Sequence, residues 1–398
     1  PPLPKSTGDN FVGAYPWNKS REAVGRDRPL TRAELRQVQG VLNRIDRLPF
    51  FLQTLFTSRY NFIRRTKSPL GGLYFLKNTF ERKLLPRLER VNELCGMNES
   101  ASIGFLSERD QYARLPDMND KELKKFAARI ASQLWSKYEE LSDAWEEAHG
   151  GKDTLFTDEA QAHLYGQVAG IARAFNFTPM YWKKYRKGQM TIRMAFSAIS
   201  RLIKDEWWVS QLKAQRMRWR EALLIAAGEV NKDRSPYASK MAIRDVHARR
   251  LANLEYLKSC ELENKVTGER IDLISKVMGS ISNPEIRRME LMNTIAGIER
   301  YAASVGDVGM FITLTTPSKY HPTRQVGKGE NKTVQLNHGW NETAFTPKDG
   351  QRYLCRIWSL IRTAFKDNDL EVYGMRVVEP HHDGTPHWHM MLFCKPGQ

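Results

Sequence analysis

The stretch VVEPHHDGTPHWHMMLF, residues 377–393, contains four of the nine histidines of the chain. Side chains two residues apart in a β-strand point to the same face. His387 and His389 therefore project together, and Trp388 projects from the other face. The segment 380–386 contains an Asp-Gly pair, which is typical of turns. The stretch predicts a β-hairpin that carries a histidine pair on one face of a sheet.

A hairpin around this turn would place Glu379 opposite His387, on the face that also carries His389. Two imidazoles and one carboxylate with open coordination positions suit Mn²⁺, Mg²⁺ or another divalent ion acting as a Lewis acid. The alternative is a histidine pair on a polar surface. The apolar residues 390–393 favour a buried strand, however, where histidine is uncommon unless it has a partner.

Other kinds of metal site fit the spacing less well. A cupin-like site or an H-x-H-x-D-H hydrolase site needs further ligands soon after the second histidine, but residues 390–393 are Met, Met, Leu and Phe. A closed zinc site needs a fourth ligand. Cys394 lies on the opposite face by strand parity, so His381 or His382 stays open for that position.

The composition points to a polyanionic partner. The 398 residues include 62 Lys+Arg and 45 Asp+Glu, which gives a net charge of +17 and a pI near 9.7. Such an excess favours nucleic acid first and an anionic membrane surface second, although charge also keeps a protein soluble. The four cysteines are far apart, as expected for free thiols in a reducing cytosol. No apolar run approaches the ~18 residues of a membrane span.

The periodicity of the sequence changes once along the chain. Residues 1–30 are polar and predict an irregular lead-in, and residues 31–305 show mostly helical patterns. The segment 306–398 predicts a strand, a loop, an amphipathic helix and two more strands. We therefore expect an α+β protein with a large helical region, followed by a sheet flanked by helices.

Two helical segments combine cations with aromatic residues. YWKKYRKGQMTIR, 181–193, interleaves tyrosine and tryptophan with lysine and arginine, and KAQRMRWR, 213–220, adds further arginines. Aromatic rings stack on unpaired bases and cations contact phosphates. The alternative is that the aromatic rings pack inward and the charges are solvated. The candidate DNA-binding residues are Lys183, Lys184, Arg186, Lys187, Arg216 and Arg218.

Several of these motifs resemble a known superfamily. PHWHMMLF, 386–393, resembles the His-hydrophobic-His motif of the HUH endonucleases, and FITLTTP, 311–317, resembles their upstream strand motif. EPHHDGTPHWH, 379–389, is similar to the replication gene A proteins of P2-like tailed phages, as is the basic helical segment 178–260. The resemblance covers most of the chain and is diffuse before residue 300.

The resemblance implies a chemistry and a setting. Members of the superfamily nick one DNA strand with a tyrosine, which forms a 5′-phosphotyrosyl bond and frees a 3′-OH primer for rolling-circle replication. Carried over here, His387, His389 and Glu379 would bind Mg²⁺ or Mn²⁺, and 306–398 would be an incomplete HUH-type antiparallel sheet. The partners implied are single-stranded origin DNA and the host replicative helicase, in the bacterial cytoplasm and without a membrane.

The nucleophile implied by the resemblance is absent from the motif region. Because the tyrosines of the family follow the histidine strand, we expect them after Gln398, in a chain truncated at its C-terminus. Tyr301, Tyr320, Tyr353 and Tyr373 precede the strand, and core packing is expected for the last two. Alternative functions are a relaxase or transposase of the same superfamily, or a non-catalytic DNA-binding prophage remnant.

Overall fold

A computed structural model describes residues 28–98, 108–327, 333–343 and 345–397. Helices dominate up to residue 305 and the largest sheet follows, so the predicted α+β class with a helical N-terminal region is confirmed. None of the helices in these ranges is long and apolar enough to cross a membrane. Most of the lead-in expected at 1–30 lies outside the described residues.

The chain divides into two compact units, unit 1 up to Ala227 and unit 2 from Gly228 onward. The change of periodicity at residue 306 therefore falls inside unit 2. The division into a DNA-binding region, 31–305, and an endonuclease domain, 306–398, concerns function and stays a prediction.

The described part of unit 1 is helical. Its α-helices are α1 (Arg32–Ile45), α2 (Phe50–Thr66), α3 (Pro69–Tyr74), α4 (Leu85–Cys95), α5 (Arg109–Ala113), α6 (Asp120–His149), α7 (Asp158–Ala174), α8 (Trp182–Tyr185), α9 (Ile192–Leu202) and α10 (Asp205–Ala226). A π-helix, Phe75–Leu84, precedes α4, and a 3₁₀ helix, Lys152–Phe156, precedes α7. Pro86 in α4 lacks an N–H, and its ring crowds the carbonyl group four residues earlier. This accounts for the wider π-helical turns that precede α4.

Large aromatic side chains form the core of unit 1. Trp208 and Trp219 of α10 are buried, and both indole N–H groups donate hydrogen bonds, to Leu202 O and Asn92 Oδ1. Phe175 packs edge-on against Trp208, with ring centroids 5.4 Å apart. Since buried indoles need a polar partner, these bonds let tryptophan fill the core without an unpaired donor.

Unit 2 contains helices and three small antiparallel sheets. Its elements are α11 (Lys240–Lys258), β1 (Glu261–Glu263), β2 (Arg270–Asp272), α12 (Leu273–Met278), α13 (Pro284–Val305), β3 (Val308–Thr315), a 3₁₀ helix (Ser318–Tyr320), β4 (Thr323–Val326), β5 (Thr333–Leu336), α14 (His338–Thr343), α15 (Pro347–Asp367), β6 (Tyr373–Pro380) and β7 (Pro386–Cys394). The hairpins β1–β2 and β4–β5 form two of the sheets.

The third sheet has the strand order β3-β7-β6, so the histidine strand β7 is central. Both neighbours are antiparallel to it. Gly374 of β6 has a φ of +146°. A Cβ at this position would lie 2.0 Å from the carbonyl oxygen of Met391. Only glycine fits this close approach of the two strands.

Helix α15 covers one face of this sheet. Trp388, fully buried, donates its indole N–H to Gln351 Oε1 of α15 at 3.0 Å, and Met390 beside it on the same face is also buried. On that face the Arg376 guanidinium lies 3.8 Å from the centre of the Trp388 ring. The packing of α15 on alternate residues of β7 leaves the histidines on the opposite face.

Candidate metal centre and nucleic-acid interface

The strand register brings the predicted metal-binding residues together. His387 is paired with Glu379 of β6 and with Thr315 of β3, and His389 is paired with Thr313. Directly paired residues in an antiparallel sheet share a face. The predicted placement of Glu379 opposite His387, on the face of both histidines, is thus confirmed, whereas their binding of a metal ion stays a prediction.

The three side chains are close to one another. His389 Nε2 lies 3.6 Å from Glu379 Oε2, and the ring centroids of His387 and His389 are 4.5 Å apart. The side chains of His389 and Glu379 are 28% and 44% exposed, so the face is open to solvent. The ring of Phe311 stacks on His389 at 5.4 Å and is itself 69% exposed.

Threonines of β3 orient both histidine rings. Thr315 Oγ1 lies 3.2 Å from His387 Nδ1, and Thr313 Oγ1 lies 3.2 Å from His389 Nδ1. When Nδ1–H donates to the threonine hydroxyl, Nε2 carries the lone pair that a metal ion needs. Burial and the neighbouring His389 lower the pKa of His387, which favours the neutral, metal-binding form of the ring.

The types of side chain at this site suit a divalent ion, but their atoms do not surround one common point. Among the described residues, no three His, Cys, Asp or Glu side chains are positioned to hold one metal ion as they stand. Two ligands of one octahedral ion, each about 2.1 Å from it, are roughly 3 Å apart. The separation of 3.6 Å between His389 and Glu379 is close to this value. The types of ligand, two imidazoles and one carboxylate on one open face, therefore suit a divalent ion.

The turn between β6 and β7 adds a second polar group. Asp383 Oδ2 lies 2.8 Å from Nδ1 of His321, a residue of the loop after β3. The hydrogen bond to Asp383 raises the pKa of His321. Burial would raise the pKa of Asp383, but hydrogen bonds from His321 and Thr385 outweigh it and the net shift is downward. Sequence spacing gives no signal for this pair, since the two residues are 62 positions apart.

The other histidines of the stretch lie outside the strand pair. The ring of His381 packs against that of His387, with centroids 4.5 Å apart, and burial lowers its pKa. His382 instead hydrogen-bonds through Nδ1 to Pro236 O at 2.7 Å. Of the two residues left open as a fourth ligand, only His381 is therefore directed toward the histidine pair.

The tyrosines before the histidine strand make structural contacts. Tyr373 donates its hydroxyl to Asp307 Oδ2 at 2.8 Å, and burial together with this bond raises the pKa of Tyr373 to about 12. It pairs with Phe393, six residues along β7 from His387, which is roughly 20 Å at 3.3 Å per residue. Tyr353 packs on Tyr320, with ring centroids 5.2 Å apart. These contacts agree with packing roles for Tyr353 and Tyr373.

The segment 181–193 presents its cations and packs its aromatic rings. The four predicted DNA-contacting cations here are all exposed: Lys183, Lys184, Arg186 and Lys187. Tyr185 contacts Tyr165 of α7, and its hydroxyl occupies the space that a side chain at Gly166 would fill. Tyr185 thus anchors a short helix whose cations face solvent, and phosphate contact by these cations is compatible with the structure.

The two arginines of α10 differ. Arg216 donates to Met118 O at 2.8 Å and to Asp120 Oδ1 at 2.6 Å, and its side chain is only 13% exposed. Its guanidinium is committed to contacts within unit 1, which argues against the predicted phosphate contact. Arg218 is exposed. A role of either residue in DNA binding stays a prediction.

The fold and site define an α+β protein whose antiparallel sheet bears a histidine pair and a carboxylate on its open face. The model of the bacteriophage replication gene A protein family matches residues 121–398. The chain belongs to this family, so the resemblance to replication gene A proteins is confirmed. The relaxase and transposase alternatives gain no support from this match.

Several relatives agree with this assignment. The chain is 78% identical to the replication gene A protein of Escherichia phage P2 over 98% of its length, and 36% identical to that of Escherichia phage 186 over 80%. It is 29% identical, over 98% of its length, to a probable replication endonuclease from a prophage-like region of Salmonella typhimurium. The matched regions cover 52%, 46% and 48% of these relatives, so the chain spans about half their length. No solved structure matches.

Proposed function

We propose that this chain carries the metal-binding part of a phage replication initiator that nicks one strand of origin DNA to start rolling-circle replication. The observation that carries the proposal is the register of the sheet, which sets His387, His389 and Glu379 on one open face. Support comes also from the relatives, which are named replication gene A proteins and a probable replication endonuclease.

Each side chain of the site has a proposed role. His387, His389 and Glu379 hold a divalent ion, Mg²⁺ or Mn²⁺, which when bound supplies Lewis-acid polarisation of a phosphoryl oxygen. Thr313 and Thr315 keep the imidazole rings oriented through Nδ1. The open face leaves space for a DNA strand.

The nucleophile is assigned to a tyrosine of the longer protein. Its hydroxyl oxygen attacks the scissile phosphorus, which forms a 5′-phosphotyrosyl bond and releases the 3′-oxygen as a free hydroxyl. Tyr373 is a poor candidate because its raised pKa and its bond to Asp307 disfavour the phenolate. The proposal includes action on single-stranded origin DNA in the host cytoplasm, and a host helicase as partner.

Metal binding is the first test. We expect the double variant His387→Ala with His389→Ala to lose Mn²⁺ binding measured by isothermal titration calorimetry, because both imidazole donors are removed. The matched control replaces two exposed histidines outside the sheet, His149→Ala with His247→Ala, and should bind as the unchanged chain does. Equal Mn²⁺ affinity in the double variant would refute the site.

Strand cleavage is the second measurement in this test. A longer protein that contains the chain should nick labelled single-stranded origin DNA and remain bound to the 5′ end, and the histidine double variant should lose both activities. The chain 1–398 alone should form no covalent DNA adduct. An adduct with the chain alone would show that the nucleophile lies among its own tyrosines.

A further inference from the structure

His321 links two parts of the sheet that flank the candidate metal centre. On one side its Nε2 lies 3.2 Å from Thr316 Oγ1 and 3.3 Å from Thr316 O, directly after the end of β3. On the other side its Nδ1 lies 2.8 Å from Asp383 Oδ2 in the β6–β7 turn. One imidazole therefore ties the end of β3 to the turn that precedes β7.

Asp383 in turn fixes the shape of that turn. Its Oδ1 accepts a hydrogen bond from Thr385 N at 3.0 Å, and its side chain is only 10% exposed. The turn is closed further by hydrogen bonds from His381 N to Thr385 O and from Gly384 N to His381 O, both 2.8 Å. A carboxylate buried to this degree is costly unless it is paired, so the bond to His321 has a clear energetic reason.

The loop that carries His321 is itself held in place. Asn337, which is 5% exposed, donates through Nδ2 to Ser318 O at 2.7 Å and to His321 O at 3.0 Å. The backbone N–H of Asn337 also donates to Pro322 O at 3.0 Å. Because the backbone of His321 is anchored on this second side, the imidazole acts as a fixed bridge rather than a freely rotating side chain.

The bridge has two direct routes to the ligand His387. Thr316 follows Thr315, whose hydroxyl lies 3.2 Å from His387 Nδ1. The ring of His381 lies between the other two rings, with centroids 5.2 Å from His321 and 4.5 Å from His387. Two of the groups that contact the His387 ring are thus linked to His321. Thr315 is linked through its neighbour Thr316, and His381 is linked by direct ring contact.

Two side-chain atoms of the β6–β7 turn are buried and make no hydrogen bond to any described residue. They are His381 Nε2 and Thr385 Oγ1. A buried polar atom left unpaired costs about 1–3 kcal/mol. The His381 ring is nevertheless kept against His387, where it limits the orientations open to the ligand ring.

We propose that His321 and Asp383 are positioning residues, which set the orientation of the metal ligand His387 through Thr315 and His381. The inference rests on the proposed function, because it takes His387 to be a metal ligand. Outer partners of metal-binding histidines commonly change metal affinity about 10- to 100-fold when they are removed. The pair contacts neither the reacting phosphate nor the ion in this assignment, and acts only through the ring of His387.

The central test compares Mn²⁺ affinities by isothermal titration calorimetry. Asp383→Ala should raise the Mn²⁺ dissociation constant about 10- to 100-fold. Asp383→Asn keeps one oxygen to accept from the N–H of Thr385 but places an amide N–H₂ beside His321 Nδ1, and should restore part of the affinity. His321→Ala should match Asp383→Ala, and the double variant should be no weaker than either single variant, because the two residues act as one unit.

A matched control separates positioning from general loss of stability. Asp307→Ala removes a carboxylate that accepts a hydrogen bond from Tyr373, at the opposite end of the same sheet. Thermal unfolding without metal should show a lowered Tm for both alanine variants, but Mn²⁺ affinity should fall only for Asp383→Ala. Equal losses of affinity in the two variants would overturn the positioning role and indicate a structural one.

The outcomes distinguish this inference from the proposed function. If the unchanged chain binds no Mn²⁺, the metal site itself is wrong, and the proposed function fails first. If the unchanged chain binds Mn²⁺, the His387 and His389 double variant does not, and Asp383→Ala binds with unaltered affinity, then only the positioning role is refuted.

Discussion

The two compact units differ in how they bury their side chains. Among the largest fully buried side chains of the described residues, Trp388 belongs to unit 2, whereas the others belong to unit 1. In unit 2, α11 buries none of its side chains and α13 buries only Ala302. Burial near the candidate site is concentrated on β7, where six of nine residues are buried, whereas α15 buries only Gly350 and Leu354. The histidine pair therefore lies on the strand on which its sheet most depends.

The largest effect should come from removing the central side chain of that sheet. Trp388→Ala deletes a fully buried indole that bonds Gln351, and we expect a loss of about 3–5 kcal/mol in the free energy of unfolding of unit 2. Differential scanning calorimetry should show the transition of unit 2 lowered and that of unit 1 unchanged.

An exposed apolar residue of the same unit gives the control for Trp388→Ala. Leu251 of α11 is 64% exposed, so Leu251→Ala should change the free energy of unfolding by less than about 0.5 kcal/mol. A large effect of Leu251→Ala would mean that α11 is covered in solution. The difference between the two units in buried apolar side chains would then be smaller in solution than in this structure.

The next effect concerns the exposed cations of unit 1. The double variant Lys183→Ala with Lys187→Ala should weaken binding to a labelled single-stranded oligonucleotide, measured by fluorescence anisotropy. If each lysine contacts one phosphate, the slope of log K against log salt should fall by about 1.4 in magnitude. The control Lys121→Ala with Lys125→Ala removes two exposed lysines of α6. The same change of slope in both variants would show that only net charge matters.

The smallest effect concerns an ion pair at the start of α6. Hydrogen bonds from Arg216 and Lys213 lower the pKa of Asp120 to about 2. Because the unfolded value is about 3.9, the ionised carboxylate stabilises the fold above about pH 4, and this contribution is lost as the pH falls toward 2. Asp120→Asn should lower stability at pH 7 by less than about 1 kcal/mol, since the side chain is largely exposed.

Thermal unfolding between pH 7 and pH 2 checks this effect. The difference between the unchanged chain and Asp120→Asn should shrink over the acid range and vanish near pH 2. Asp143→Asn, which replaces an exposed acid of the same helix, should show a smaller difference at pH 7. A difference for Asp120→Asn that persists at pH 2 would point to a role other than its charge.

Local patterns predicted the histidine face, because strand parity and a turn are short-range features. The period-2 alternation at 386–390 separates Trp388 from the histidines, and the register that pairs Glu379 with His387 follows from the turn between them. The α+β class followed similarly from a change of periodicity. These features depend on residues within about ten positions of one another.

Contacts between distant residues could not be predicted in the same way. Arg216 donates a hydrogen bond to Asp120, which lies 96 residues earlier in the chain. A basic run in the sequence does not show which of its cations forms such an internal contact. The His321–Asp383 pair escaped notice for the same reason. The hairpin β4–β5 lies where the sequence predicts only a loop, because its polar strands lack an apolar alternation.

The number of residues in the β6–β7 turn sets the register of β7. It therefore determines which face of the sheet carries the candidate ligands. If one residue were deleted from 383–385 and the shortened turn were absorbed by a one-residue slip of β7 against β6, every side chain of β7 would change face. Trp388 would then point into solvent, and both imidazoles would point under α15. A change of chain length, with every histidine retained, would in that case be enough to exchange the core of the sheet and its candidate site.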